Sequence, residues 1–508
     1  MTKSQHSYLK IFVFGTGFII LVLELTASRL FAPYFGASIF VWANIIGIIL
    51  LALALGYWLG GKLADRRPEF RLLMRVVLVA GLFVSFIPLL FRLLTPFLVI
   101  STNSYSNSII IGSFTVIVVL FFIPAFLLGI VSPFAVRLFN QRVETTGSSA
   151  GSLYAWSTAG SIVGTFTTAF LAVPYLGTHE TIHCSAFILI LLSAIGQRRI
   201  LLYIFLLLPI VLYFIFTSYN IFFENGLIRP RAGVVYEKES PYQFIQVIDT
   251  PEERRLVTSA GFGTQTSQRF DSILTGKYFD FCTLLPPAIK EKGEDLKVMI
   301  IGVAGGAISR LYDEIYSDEY RLIMDGVDVD PMLVEAGRKF FGLGDQPINI
   351  HIADGRTYLY QNDTKYDVII VDAYENQTNI PFHLTTQEFF QLTSERLTDN
   401  GVISINIGAT QPDSRLLVAF LETLAEVYPY VYTASVEGSM NYMVTGSGHS
   451  IDFDSPDYPD VISKIAREVI PKIELYKPTG KRLLTDNWAP IELLTDTMYL
   501  QYIWEAKS

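Results

Sequence analysis

Apolar positions crowd the first 220 or so residues into seven runs, near 11–31, 39–61, 73–91, 109–131, 151–173, 180–196 and 200–222. A helix crosses a hydrocarbon core in about 20 residues, so the pattern predicts an α-helical polytopic membrane bundle over 1–225. The first run is too long and too charged internally for a cleavable leader, and no small-residue cleavage site follows it. It stays in the mature chain. Gly56 and Gly60 lie four apart in the second run, and Gly160 and Gly164 in the fifth, a spacing that lets helix backbones approach closely. Simple helix packing is the expected use.

Beyond residue 225 the period changes. YQFIQVID (242–249) and RLVTSAGF (255–262), joined through the polar TPEER, predict two strands of a small β-rich subdomain over 226–290. KVMIIGVAGGAISRLYDEIY (297–316) then predicts a buried strand, a glycine turn and a helix, and MDGVDVDPMLVEAGRKFF (324–341) a second strand ending in acid and a second helix. YDVIIVDAY (366–374) and GVISINI (401–407) supply further buried strands, with a helical EFFQLTSERL (388–397) between them. The expected fold over 291–508 is an α/β doubly wound, Rossmann-like domain that binds a nucleotide at the carboxyl ends of its strands.

Charge sharpens the division. Residues 1–225 carry 13 Lys and Arg against 6 Asp and Glu, and residues 226–508 carry 25 against 41, local charges of +7 and −16 that make up the net −9. An acidic half offers no footprint for nucleic acid, which needs clustered Lys and Arg; it suits a small cationic substrate, although a solvated acidic surface more commonly explains such a bias. Two cysteines, Cys184 and Cys282, are no disulfide framework and fit a reducing compartment. The six histidines form one close pair, His179 and His183, with no third ligand nearby. No metal is expected, and the pair reads as lying at the membrane edge.

Within the spans, Glu24 is costly and hard to dismiss, whereas Arg29 is expected to snorkel. Basic residues cluster at Lys3 and Lys10, at Lys62, Arg66, Arg67 and Arg71, at Arg137 and Arg142, and at Arg198 and Arg199. The positive-inside rule makes these cytoplasmic, and seven crossings then carry the acidic half to the far side, away from the cytoplasmic nucleotide pool. The sixth and seventh runs, separated only by Gln197, Arg198 and Arg199, make the span count the weakest link. Cofactor supply places the acidic half in the cytoplasm, on a multi-pass protein of the cell membrane.

Gly302, Gly305 and Gly306 let backbone pass close to a nucleoside and its tail, ahead of a helix amino terminus. Asp328, ending the second strand, is placed to accept from ribose hydroxyls. Asp354, in HIADGRTYL, is placed either to read an adenine amino group or to cap the following helix. Glycine turn, strand-end acid and Asp-Gly together suggest an adenosylmethionine-type cofactor and a class I methyltransferase-like fold.

Residues 234–446 resemble the aminopropyltransferases, the spermidine and spermine synthases, over nearly the whole catalytic core. Tyr242-Gln243, Gln265 in GFGTQTS, Tyr278-Phe279-Asp280, and Asp372 and Glu375 in VDAYE carry the likeness. LVLELTASRLFAPYFGAS, GYWLGGKLADRR and SAGSLYAWSTAGSIVGT resemble the membrane region of relatives in which a transporter-like bundle is fused to a spermidine-synthase-like domain. The resemblance implies cofactor contacts at Gln265, Asp328, Asp354 and Asp372, with Tyr278 and Asp372 facing the amine and Gln243 near the substrate. It also leaves room for a homodimer beside the bilayer.

Aminopropyl transfer moves the propylamine of decarboxylated S-adenosylmethionine to an amine such as putrescine, leaving methylthioadenosine. An aliphatic amine with a pKa near 10.4 is neutral in about one molecule in a few thousand at pH 7. The site must therefore take up a proton, and Asp372 is the candidate base. Glu375 is placed to hold a second ammonium or the donor's amino group.

Three departures from the family pattern matter. Gly305 stands where the family has the acid that binds the donor's propylamine, so intact S-adenosylmethionine meets less repulsion. Phe279 replaces a polar residue, and His383 in IPFHL replaces an acid. TDNWAPIE (485–492) also occurs in the membrane-fused relatives, and Asp486 either faces the cleft or closes a turn. The alternatives to aminopropyl transfer are thus an S-adenosylmethionine-dependent methyltransferase, and a transporter or scaffold that senses polyamine or nucleoside without turnover.

Overall fold

The computed structural model describes residues 3–35, 39–100, 113–139, 146–224, 227, 229, 231–258, 263–374 and 380–505. They form two compact units, Met1–Pro230 and Arg231–Ser508.

The first unit is helical, and among its described residues seven stretches are long and apolar enough to cross a membrane. These are Gln5–Phe31, Val41–Arg66, Phe70–Leu94, Ser113–Phe139, Gly147–Leu176, Thr178–Gln197 and Ile200–Ser218. The seventh begins as a 3-10 turn, Ile200–Leu206, and continues as the helix Leu207–Glu224 through Pro209. Span one packs along span five, two along four, and three along six. A Cβ on Gly56 would collide with the carbonyl oxygen of Phe126, and one on Gly60 would stand 2.8 Å from Ile130 Cα. Gly160 and Gly164 meet the carbonyls of Phe14 and Phe18 in the same way. Both glycine pairs are packing devices. Contact this close brings the helix backbones together with no side chain between them. The rings of His179 and His183 pack on Phe216 and Tyr213 of the seventh span, with centroids 4.6 and 5.7 Å apart.

In the second unit, β1 (Val234–Glu239), β2 (Phe244–Asp249), β3 (Glu253–Thr258) and β4 (Thr266–Arg269) form an antiparallel sheet in chain order. Ile245, Val247 and Leu256 from this sheet bury against Ala304, Leu333, Ala336 and Phe341. That contact lays the start of β4 over the glycine turn. The larger sheet contains β5 (Asp295–Ile301), β6 (Arg321–Asp328), β7 (Ile348–Ile352), β8 (Tyr366–Val371), β9 (Leu397–Gly408), β10 (Tyr430–Ser435), β11 (Asn441–Ser447) and β12 (Glu474–Leu475). Its order is β12-β10-β11-β9-β8-β5-β6-β7. The strands from β7 to β9 are parallel, whereas β10, β11 and β12 pair antiparallel. From β5 the chain winds outward through β6 and β7, then returns to β8 on the other side. This reversal opens a cleft at the carboxyl ends of β5 and β8. Every residue of β8 is buried, the continuous apolar run of a strand covered on both faces.

The strands read from 242–249 and 255–262 are β2 and β3, except that β3 begins at Glu253 and residues 259–262 lie outside the described set. The patterns at 297–316, 324–341, 366–374 and 401–407 are β5, β6, β8 and β9, with helices Ala307–Tyr316, Pro331–Phe340 and Gln387–Glu395. The hairpin of β10 and β11 went unread, because YVYTAS and NYMVTGS lack a clean period-2 pattern.

Gly164→Ala inserts a methyl group into a backbone contact, whereas at Gly47 nothing lies within 4 Å of a new Cβ. The first change should cost about 1–3 kcal/mol and lower the thermal midpoint of the full-length protein in detergent. Gly47→Ala should leave it unchanged. Equal midpoints would refute the packing role.

Candidate active site

The turn after β5 is shaped by its backbone. Gly302 has φ +90°, and a Cβ there would run into the carbonyl oxygen of Asp372. Ala304, at φ +48°, adopts a left-handed conformation that L residues avoid. Its N–H donates to Asp328 Oδ2 at 2.9 Å, and Asp328 Oδ1 accepts from the Asp330 N–H at 2.9 Å. Asp328, which ends β6, therefore holds the strained turn in place. Burial pushes its carboxyl up from 3.8 to about 6.

Gly305 donates its N–H to Thr266 Oγ1 at 2.8 Å, and a Cβ on Gly305 would stand 2.9 Å from the Thr266 side chain. Where an acid was looked for, Thr266 covers the backbone. Gly306, at φ +81°, leads into the helix Ala307–Tyr316. Gln265, Gly302, Gly306 and Asp372 line one cavity together with Phe279 and Ser309.

Asp372 follows β8 and is buried. Its Oδ2 accepts from the Tyr278 hydroxyl at 2.9 Å, and its Oδ1 from Asn406 Nδ2 at 3.0 Å. Asn441 Nδ2 donates to Asn406 Oδ1 at 2.8 Å, which turns the Asn406 amide so that its nitrogen faces Asp372. Burial raises the Asp372 carboxyl to about 7, against the lowering effect of these two donors. Burial and the facing carboxylate push the Tyr278 phenol well above its ordinary value, so it stays a donor. Tyr278 is aimed by the turn before it, where Asp280 accepts from the Thr275 and Gly276 N–H groups at 2.9 and 2.7 Å. Asn406 and Thr266 escaped the reading of the sequence. The one sign of Asn406 was a lone amide in the otherwise apolar end of SINI.

Asp354 caps the helix Gly355–Gln361, accepting from the Thr357 N–H at 2.8 Å, and its Oδ2 lies 2.7 Å from His383 Nε2. The His383 contact holds its carboxyl well below the usual carboxylate range. Asp486 pairs with Arg356 at 2.6 Å and accepts from the Thr386 hydroxyl at 2.7 Å. Gln243 stands apart from the cavity, in a turn whose Ser240 hydroxyl donates to Asp330 Oδ2 at 2.6 Å. Glu375 lies outside the described residues. Among the described residues no group of three or more His, Cys, Asp or Glu could hold a metal ion.

A family model described as the spermine/spermidine synthase domain matches residues 287–454. The second unit carries a spermine/spermidine synthase domain. Around this synthase domain the chain is 30% identical to a probable polyamine aminopropyl transferase of Bifidobacterium longum, over 41% of this chain and 47% of that protein. It is 22% identical to polyamine aminopropyltransferase 2 of Aquifex aeolicus, over 98% of this chain and 99% of that one. Similar solved structures include a probable spermidine synthase from Corynebacterium glutamicum (17% identity, TM-score 0.41, 51% of this chain and 97% of that one). Another is the spermidine synthase of Thermotoga maritima (21% identity, TM-score 0.36, 52% and 83%). The first relative is matched over about half its length, while the Aquifex relative is matched end to end.

The carboxyls of Asp328 and Asp372 both titrate above the ordinary 3.8 when folded. The folded synthase domain thus binds more protons than the unfolded chain between about pH 4 and 7. The stability they contribute is fully present below the ordinary value. It is lost as pH rises through about 6 for Asp328 and about 7 for Asp372. In Asp372→Asn the fall in thermal midpoint between pH 5 and 8 should be smaller than in the native protein. Parallel pH profiles would refute the raised carboxyl.

Proposed function

We propose that the synthase domain transfers the aminopropyl group of decarboxylated S-adenosylmethionine to a small diamine such as putrescine, giving spermidine and methylthioadenosine. The observation that carries this reading is Asp372, a buried carboxyl raised to about 7 at the mouth of the cleft. Such a group is poised to take a proton near neutral pH.

Asp372 accepts a proton from the substrate ammonium, and the freed amine attacks the methylene carbon bound to the sulfonium. The new C–N bond forms as the C–S bond breaks, and the sulfur keeps the electron pair as a neutral thioether. Tyr278 and Asn406 hold the carboxylate in line for this. Gly302, Gly305 and Gly306 give the donor's tail its close approach. Asp328 keeps lone pairs for ribose hydroxyls while bracing the turn, and Gln265 borders the nucleoside. Asp354, fixed by His383, faces the adenine. Glu375 receives the far ammonium of the diamine.

The amino-terminal helices hold the chain in the cell membrane, and donor supply argues for a cytoplasmic synthase domain. Gly305 under Thr266 favours a second reading: with no acid to select the decarboxylated donor, the domain uses intact S-adenosylmethionine for methyl transfer. Calorimetry of the full-length protein with both donors separates the two, since preference for the intact form would overturn aminopropyl transfer.

Asp372→Asn should lower kcat by about 10²–10⁴-fold, the range for loss of a positioned base, while donor affinity is retained. In the native enzyme kcat/KM should rise with pH through about 7 and then level off, because the base works deprotonated. The kcat limb should lie lower, since a bound cation favours the carboxylate. A flat profile between pH 5 and 8 would remove Asp372 from the role.

A further inference from the structure

The membrane unit is built twice from one pattern. Residue 126 follows residue 18 by 108 positions, and at that shift FIILVLELTASRLF (18–31) meets FLLGIVSPFAVRLF (126–139). Phe18, Ala27, Arg29, Leu30 and Phe31 meet Phe126, Ala135, Arg137, Leu138 and Phe139. The helix starts follow it to within one residue: Thr146 lies 107 positions after Ile39, and Thr178 lies 108 after Phe70.

The contacts repeat as well. Gly56 of span two meets the carbonyl of Phe126 in span four, and Gly164 of span five meets the carbonyl of Phe18 in span one. Both partners of the second contact are reached from the first by the shift of 108. Gly81 of span three packs on Leu189 and Ile190 of span six, and Leu189 is its own shifted counterpart. Exchanging spans one, two and three with four, five and six leaves the pairing of one with five, two with four and three with six unchanged. Each repeat has three crossings, an odd number, so the second enters the bilayer from the opposite face.

Anchoring needs none of this, since one apolar helix of about 20 residues suffices. Inverted repeats, by contrast, give a bundle two related arrangements that open one site to either face. The repeats differ at one telling place. Glu24 of span one corresponds to Ser132 of span four, where the helix breaks between Gly129 and Val131. Asp65 and Glu180 sit at span ends, and Asp65 pairs with Arg137 at 3.1 Å. Among the described residues Glu24 is the one acid in the interior of a span, and it has no hydrogen-bond or ion-pair partner. A carboxylate at that depth is costly unless a cation joins it.

We propose that the membrane unit is an inverted-repeat carrier that passes a small organic cation across the bilayer, with Glu24 as its counter-charge. The choice of a polyamine among such cations rests on the aminopropyltransferase reading of the synthase domain. The test is counterflow of labelled spermidine into vesicles that hold the full-length protein and unlabelled spermidine, with synthase activity measured on the same preparation. Counterflow should exceed that of protein-free vesicles by about tenfold, and Glu24→Gln should abolish the excess, a loss equivalent to about 1.4 kcal/mol or more. Synthase activity should not change in Glu24→Gln, which shows that the variant is folded. Counterflow no greater than in protein-free vesicles, or undiminished by Glu24→Gln, overturns the carrier. Counterflow without synthase activity supports the carrier and rejects the enzymatic reading alone.

Discussion

Placing a carboxylate in a buried strand end is costly unless donors meet it, and the synthase domain is organised around meeting Asp372. Tyr278 reaches it from the segment before β5, and Asn406 from β9, with Asn441 of β11 behind. Three distant stretches of chain thus converge on one side chain. The two bonds only partly offset desolvation, which leaves the carboxyl near 7 rather than 3.8. Full compensation would yield a weak base, and none would yield a neutral acid unable to accept a proton.

The turn after β5 follows the same logic. A strained Ala304 and a glycine with no room for Cβ form a conformation that would not persist alone. Asp328 from β6 and Thr266 from β4 hold it by hydrogen bonds to backbone N–H groups. The Thr266 bond depends on the small sheet being seated on the helix Pro331–Phe340, which the cluster of Ile245, Val247, Leu256 and Leu333 provides. Binding geometry here is a consequence of packing between two sheets.

In the helical unit glycine does what charge and hydrogen bonding do in the synthase domain. Its helix faces are apolar almost throughout, so specificity comes from where backbones can touch. Gly56, Gly60, Gly160 and Gly164 mark those places, and their arrangement in related pairs gives the bundle its internal order.

Much was legible in the chain because the physics is local. Seven apolar runs, the buried strands β5, β6, β8 and β9, the glycine turn and the strand-end acids Asp328 and Asp372 all follow from residue order and periodicity. Asn406, Thr266 and Asn441 were not legible, since their roles come from partners 34, 39 and 35 residues away. For Asp354 the tertiary structure adds a bond to His383 that residue order does not reveal. The sequence by itself determined which elements form, through hydrophobic period and turn chemistry. Only the tertiary structure decided which polar groups meet, because a side chain's partner, burial and proton affinity depend on strands that are neighbours in space and strangers in order.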